Sequence, residues 1–280
     1  MEPSRRKFLQ HATMSIAGTL SMPLLSGAAA PFEYFKKEPS LQIGVAGYTF
    51  AKFDLDKSIE MMKRLNLKYL SVKDFHLPLN SDSAKIKSVL ANLAANDIKV
   101  YTVGVIYMKT AEAVDEAFAY AQRVGVDMIV GVPNYDLLDH SERKVKETGI
   151  RLAIHNHGPE DNLYPGPQDV YDRIKDRDPR MGLCLDIGHA VRAGANLSAS
   201  IKAHKNRLFD LHIKDVTAAV RDGKVAEIGR GVIDFNAVVK ALKKADYKGI
   251  CSIEYEKDMT DPLAGMAESI GYFRGILASV

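Results

Sequence analysis

His155, Asn156 and His157 follow Leu152, Ala153 and Ile154 with no turn residue between them. On a strand, residues i and i+2 point to the same side, so two imidazoles leave one face of an otherwise apolar run. Three later runs repeat the pattern. In "GLCLDIGH", Cys184 and Asp186 oppose Leu183 and Leu185; in "LFDLHIKD", Asp210, His212 and Lys214 oppose Leu211 and Ile213; in "GICSIEYE", Ser252, Glu254 and Glu256 oppose Ile253 and Tyr255. If each apolar set packs on covering helices, the polar sets face a common interior. Neighbouring strands lie only ~4.8 Å apart, which would let His155, Asp186, His212 and Glu254 meet.

Ionised groups buried together are costly unless neutralised. A divalent cation meets that cost: two carboxylates balance its charge and two imidazoles complete its shell. This mixed nitrogen and oxygen set suits Mn, Co, Fe or Zn better than Ca. A His/Asp hydrogen-bond network without metal is the alternative. Either His155 or His157 could be the ligand, since they share a parity, and His155 sits deeper. Five of the eight histidines (His76, His155, His157, His189 and His212) fall at the C-terminal ends of strand-like runs.

The elements that must position these residues are legible from residue 41 onward. "LQIGVAG", "KYLSVKDF", "IKVYTVGV", "VDMIVGVP" and "IRLAIHNH" precede the three runs above, which makes eight strands. Segments of helical period lie between them: Leu55, Ile59 and Met62 behind an Asp54 N-cap; Ile86, Leu90 and Leu93 behind Ser81 or Ser83; Val114, Phe118 and Ala121 behind Thr110; and a helix opened by Asp234. Pro262 fits the first turn of a last helix that aligns Met266, Ile270, Phe273 and Leu277. Strict β-then-α alternation predicts a parallel sheet under helices. Eight such units match an α/β fold of one closed (β/α)8 TIM barrel, which typically takes ~250 residues. A doubly wound open sheet would carry G-x-G-x-x-G after its first strand, and "VAGYTFAKFD" lacks it. The barrel is expected to span residues 31–280, with its chemistry at the C-terminal rim of the strands.

Taken in this order, "GLCLDIGH", "LHIKD", "IGRGVIDF" and "SIEYE" resemble the xylose isomerase-like TIM-barrel superfamily, sugar phosphate isomerase/epimerase group, over roughly residues 41–280. That resemblance implies metal ligands at the ends of strands five to eight, which map to His155, Asp186, His212 and Glu254. It also implies substrate contact by His189. His155 stands where the family often has Glu, so the two-glutamate arrangement of its epimerases is absent. Imidazole can instead ligate the metal or act as a base. The implied chemistry is proton abstraction beside the carbonyl of a keto-sugar through a metal-stabilised enediolate, with Glu254 as base. Lys73, of inward parity at the end of strand two, would stabilise developing charge or pair with Asp74 or Glu256. His157, Lys214 and Arg230 are candidate substrate contacts, Arg230 from a glycine-flanked loop. Isomerase or epimerase chemistry is the first expectation. Loss of the second Glu makes a lyase or hydratase acting on a keto-inositol or 3-keto-glycoside the alternative. A DNA endonuclease or a non-catalytic sugar-binding barrel ranks below both.

The chain carries a formal charge of +3, of which Arg5, Arg6 and Lys7 against Glu2 supply two units. What remains is no basic field for nucleic acid, and the expected partner is a small sugar. "SRRKFLQ", an apolar run from Ile16 to Leu25 and "SGAAA" resemble a twin-arginine export signal over residues 1–30. This predicts a periplasmic enzyme with no membrane anchor after processing; a homo-oligomer is compatible with the sequence. Cys184 and Cys251 lie in apolar strands with another strand expected between them, which predicts two buried free thiols.

Overall fold

Eight short strands form the scaffold: β1 (Gln42–Ala46), β2 (Tyr69–Val72), β3 (Lys99–Met108), β4 (Met128–Pro133), β5 (Arg151–His155), β6 (Met181–Asp186), β7 (Leu208–Ile213) and β8 (Ile250–Ile253). Every residue of β4, β6 and β8 is buried, as expected of parallel strands covered on both faces. In this computed structural model, which describes residues 41–280, the strands close a barrel in the order β1-β8-β7-β6-β5-β4-β3-β2, with every neighbouring pair parallel. The expected (β/α)8 TIM barrel is the observed fold. The export signal expected over residues 1–30, and the start of the barrel segment at residues 31–40, lie outside the described residues.

The described helices are α1 (Leu55–Arg64), α2 (Ser83–Ala95), α3 (Ala111–Val124), α4 (Leu138–Thr148), α5 (Pro167–Ile174), α6 (Ile187–Arg192), α7 (Leu197–His204), α8 (Phe235–Lys244) and α9 (Leu263–Ser279). Asp54, Asp82, Thr110 and Asp234 cap α1, α2, α3 and α8, each accepting from the backbone N–H three residues on. At α2 the cap is Asp82, between the two serines expected from the sequence; its carboxylate is the stronger acceptor for Lys85 N–H, at 2.7 Å. The apolar stripes pack inward, as Ile59 and Met62 of α1 and Met266, Ile270 and Phe273 of α9 illustrate. One helix exceeds the eight expected among these residues: α6 begins at the very end of β6, so the chemistry-bearing Asp186 doubles as its N-cap. Cys184 on β6 and Cys251 on β8 are buried free thiols, with β7 between them. No described helix is long and apolar enough to cross a membrane.

Candidate active site

Strand register sets the site. His155 pairs with Cys184, Asp186 with His212, and Ser252 with His212. Glu254 continues the β8–β7 pairing one residue past β8, its N–H donating to the Ile213 carbonyl at 3.0 Å. The polar parity of β5 to β8 therefore converges at the C-terminal rim. Ligand atoms of His155, Asp186, His212 and Glu254 all lie within 4.8 Å of one another, and all four side chains are buried. His155 Nε2 is 3.0 Å from His212 Nδ1, which is 3.2 Å from Glu254 Oε2.

Asn156 and Gly188, which the sequence reading did not single out, hold this arrangement together with Lys214. Asn156 ties the ends of β5 and β6 together: its Nδ2 donates to the Asp186 carbonyl and its Oδ1 accepts from Asp186 N–H, both at 3.0 Å. Asp186 Oδ1 accepts from His189 N–H at 2.7 Å, so one carboxylate oxygen caps α6 and the other, Oδ2, faces the cluster. Lys214 is central. It is 2% exposed, with Nζ 3.2 Å from Asp186 Oδ2 and 2.9 Å from Glu254 Oε2, and it donates to Glu256 as well. Gly188 is what admits it, since a Cβ there would lie 2.3 Å from Lys214 Cγ.

The electrostatics follow from that crowding. Burial pushes Asp186 and Glu254 up, but positive neighbours outweigh it: His189 and Lys214 for Asp186, Lys214 and His212 for Glu254. Both end well below the usual carboxylate range. Burial would lower Lys214, yet Asp186, Glu254 and Glu256 hold it well above the usual lysine value. Burial, with His157 beside it, keeps His155 well below the imidazole range, so the neutral ring offers one lone-pair nitrogen to a cation. Burial likewise lowers His189 to about 4.

Two buried polar atoms on these ligands, Asp186 Oδ2 and His212 Nε2, make no hydrogen bond with any described residue. Asp186 Oδ2 has only the ion-pair distance to Lys214 and longer approaches by His155 and His189. Buried polar atoms without partners are rare in folded proteins; of these two, Asp186 Oδ2 faces the cluster, while His212 meets it through Nδ1. Asp186, Glu254 and Glu256 together carry three negative charges, which Lys214 plus one divalent cation would balance. The residues present therefore fit a metal ion.

The remaining sequence candidates fall in three places. His157 and His189 line the mouth. His157 Nδ1 is 3.4 Å from His155 Nδ1 and 3.4 Å from Asp161 Oδ2, and His189 Nε2 is 4.0 Å from Asp186 Oδ2. Lys73 is directed elsewhere, donating to the Val105 carbonyl at 2.6 Å and pairing with Asp74 at 3.4 Å. Arg230 lies outside the cluster, exposed and paired with Glu268 through its Nε and Nη2. Its loop is organised by Asp215, whose buried carboxylate accepts N–H bonds from Val216, Gly229, Gly231 and Ile233 at 2.8 to 3.2 Å. The "HIKD" aspartate is thus a loop anchor. Below the cluster, Tyr101 donates to Asp210 at 3.0 Å and meets Ser252, while burial raises Asp210 to about 7. Tyr101 had no signal beyond its inward parity on β3.

Comparison with known proteins agrees with this fold. Residues 48–276 match the xylose isomerase-like TIM barrel family. An inosose dehydratase of Geobacillus thermodenitrificans is 31% identical over 131 residues, covering 40% of this chain and 42% of the relative. One of Clostridium beijerinckii is 28% identical over 142 residues, covering 44% and 46% respectively. The chain thus spans less than half the length of the relatives it matches. Among solved structures, an IolI protein with a bound zinc atom superposes with a TM-score of 0.72 at 17% identity, over 85% of this chain and 99% of its own. An L-ribulose 3-epimerase gives 0.67 at 16% identity, over 85% and 95%. At such identities these two likenesses speak for the fold.

Proposed function

We propose, from the premise that this chain belongs to the xylose isomerase-like TIM barrel family, that it is a divalent-metal-dependent enzyme. In this reading it removes the proton beside the carbonyl of a keto-sugar or keto-cyclitol and then expels an oxygen substituent from the next carbon. The observation that carries this reading is the four-donor cluster at the ends of β5 to β8, with Asp186 Oδ2 facing it and left without a hydrogen bond. A cation held by His155, Asp186, His212 and Glu254 would polarise the carbonyl and offset the charge that builds on its oxygen. The mixed donor set suits Mn, Co, Fe or Zn.

The chain's own residues would do the rest. Glu254 is ionised, held so by Lys214 and His212 against its burial, and is the carboxylate placed to take the proton. Lys214, charged and fixed between Asp186, Glu254 and Glu256, stabilises negative charge on the substrate without needing to reorganise. His189 and His157 at the mouth would contact substrate hydroxyls. Elimination is favoured over epimerisation because His155 occupies the end of β5, so no second carboxylate faces Glu254 from that strand. The partial likeness to inosose dehydratases supports the same branch. Isomerase or epimerase chemistry is the second reading. The Lys214–Glu256 pair favours it, since the Glu256 side chain is 26% exposed and open to a substrate.

The test is proton NMR in D2O on metal-loaded enzyme with keto-inositols and 3-keto-glycosides. Deuterium entering the carbon beside the carbonyl, with formation of an unsaturated ketone, supports elimination; exchange with only an isomeric sugar supports the second reading. Neither exchange nor product with any of them sinks both. We further propose that residues 1–30 direct export, the small-molecule substrate being met outside the cytoplasm.

A further inference from the structure

Tyr107 sits at the end of β3, 51% exposed, and is one of the few large aromatic side chains open to solvent at the chemical end of the barrel. A half-exposed tyrosine ordinarily satisfies its hydroxyl with water. This one is 2.9 Å from His157 Nε2, with the two rings stacked at 5.3 Å and 29°. The other nitrogen of the same imidazole, Nδ1, is 3.4 Å from Asp161 Oδ2. Asp161 is itself fixed, because its Oδ1 accepts from Leu163 N–H at 2.6 Å and from Tyr164 N–H at 3.2 Å. The loop that carries both is closed by His157 N–H donating to the Tyr164 carbonyl at 2.9 Å. A carboxylate, an imidazole and a phenol thus form one chain leading to an exposed hydroxyl. With Nδ1–H turned to the Asp161 carboxylate, Nε2 accepts from the Tyr107 hydroxyl, and the chain fixes where the phenol and its proton stand. Around the barrel, β3 lies three strand positions from β8, where Glu254 stands.

We propose that Tyr107 is the second proton-transfer residue of this enzyme, giving its hydroxyl proton to the oxygen that leaves, with His157 and Asp161 as its positioning residues. This rests on the elimination reading above and supplies the acid that reading lacks. Glu254 takes the proton from the carbon beside the carbonyl. That C–H electron pair is first held as the enolate, which can take a solvent proton back; in the forward direction it becomes the new C=C bond, the neighbouring C–O bond breaks with its pair going to oxygen, and the oxygen takes the Tyr107 proton. The phenolate regains a proton from solvent on its open side and Glu254 releases one, so the step is balanced with no oxidant or reductant. Burial, then the negative charges of Asp161 and Glu254, hold the Tyr107 hydroxyl above the usual tyrosine range, so it carries its proton at neutral pH.

The test compares wild type with Tyr107→Phe on two probes, methyl and 4-nitrophenyl 3-keto-β-glucoside, after elemental analysis of both proteins. A methoxide leaving group needs protonation, whereas 4-nitrophenolate does not. In the variant, metal content and solvent-deuterium exchange into the substrate should match wild type. Methanol release should fall by at least the ~10²-fold typical of lost general acid catalysis, while 4-nitrophenolate release stays within a few-fold. The imidazole 15N resonance of His157 should also shift as Nε2 loses its phenol partner. Release by the wild type with equal losses for both leaving groups in the variant, or with no loss of methanol release, overturns the assignment of Tyr107 alone. Absence of both exchange and leaving-group release in the wild type overturns the elimination reading and this assignment together.

Discussion

Lys214→Met removes the ammonium that lies among Asp186, Glu254 and Glu256. Methionine preserves most of the stem's volume, so the change is mainly one of charge. Breaking a buried ion pair by deleting one partner costs about 3–5 kcal/mol, because the remaining charge is left uncompensated. In a domain of this size each kcal/mol moves Tm by about 2–4 °C, so the metal-free variant should melt roughly 6–20 °C below metal-free wild type. The pH dependence is also fixed in sign. Asp186 and Glu254 are lowered in the folded state, so their contribution is present above the ordinary carboxylate pKa of ~4 and is lost as pH falls below it. Lys214 is raised, so its contribution persists through neutrality and is lost only as pH climbs past its folded value. The gap between the two proteins should therefore be widest near neutrality and shrink below pH ~4. A divalent ion should restore part of the loss, since it supplies the missing positive charge; at 100 times Kd the gain is about 2.7 kcal/mol. Differential scanning calorimetry on chelator-stripped protein, with and without Mn2+ or Zn2+, reads all three quantities. A metal-free variant melting within ~2 °C of wild type, or a metal-induced gain smaller than that of wild type, would refute the role given to Lys214.

Three further outcomes are expected. His155→Ala should lose metal outright by elemental analysis, while His157→Ala should weaken it by no more than the ~10–100-fold typical of a residue behind the ligands; the reverse order would make His157 the ligand. Asp215→Ala strips the acceptor from four backbone N–H groups, each costing about 1–3 kcal/mol if left unsatisfied. Limited proteolysis should then cut near Gly229–Gly231, and an uncut loop would show that other acceptors replace the carboxylate. Arg5→Lys with Arg6→Lys should trap precursor in the cytoplasm, and unchanged periplasmic yield in cell fractionation would dismiss the export reading.

The sequence by itself determined the barrel and the direction of its polar side chains. Both rest on local periods: alternation of β and α segments, and the exact two-residue period of a strand, which sorts His155, Asp186, His212 and Glu254 onto one side wherever the strands are placed. What a period cannot supply is which partner stands opposite. Lys73 and Lys214 looked alike as inward-parity lysines near the rim. Lys214 lies on the chain just past β7, whose neighbours β6 and β8 bring it Asp186 and Glu254. Lys73 follows β2, and its neighbour β3 offers a backbone carbonyl at Val105. Tyr107 was unremarked in the sequence because its partner His157 stands 50 residues away, across the mouth of the barrel. Asp215 read as part of a motif near the site, yet its carboxylate faces loop amides contributed by residues up to 18 positions further on. Parity belongs to each strand alone, while partnership depends on barrel closure, register and loop path, which exist only once the whole chain has folded.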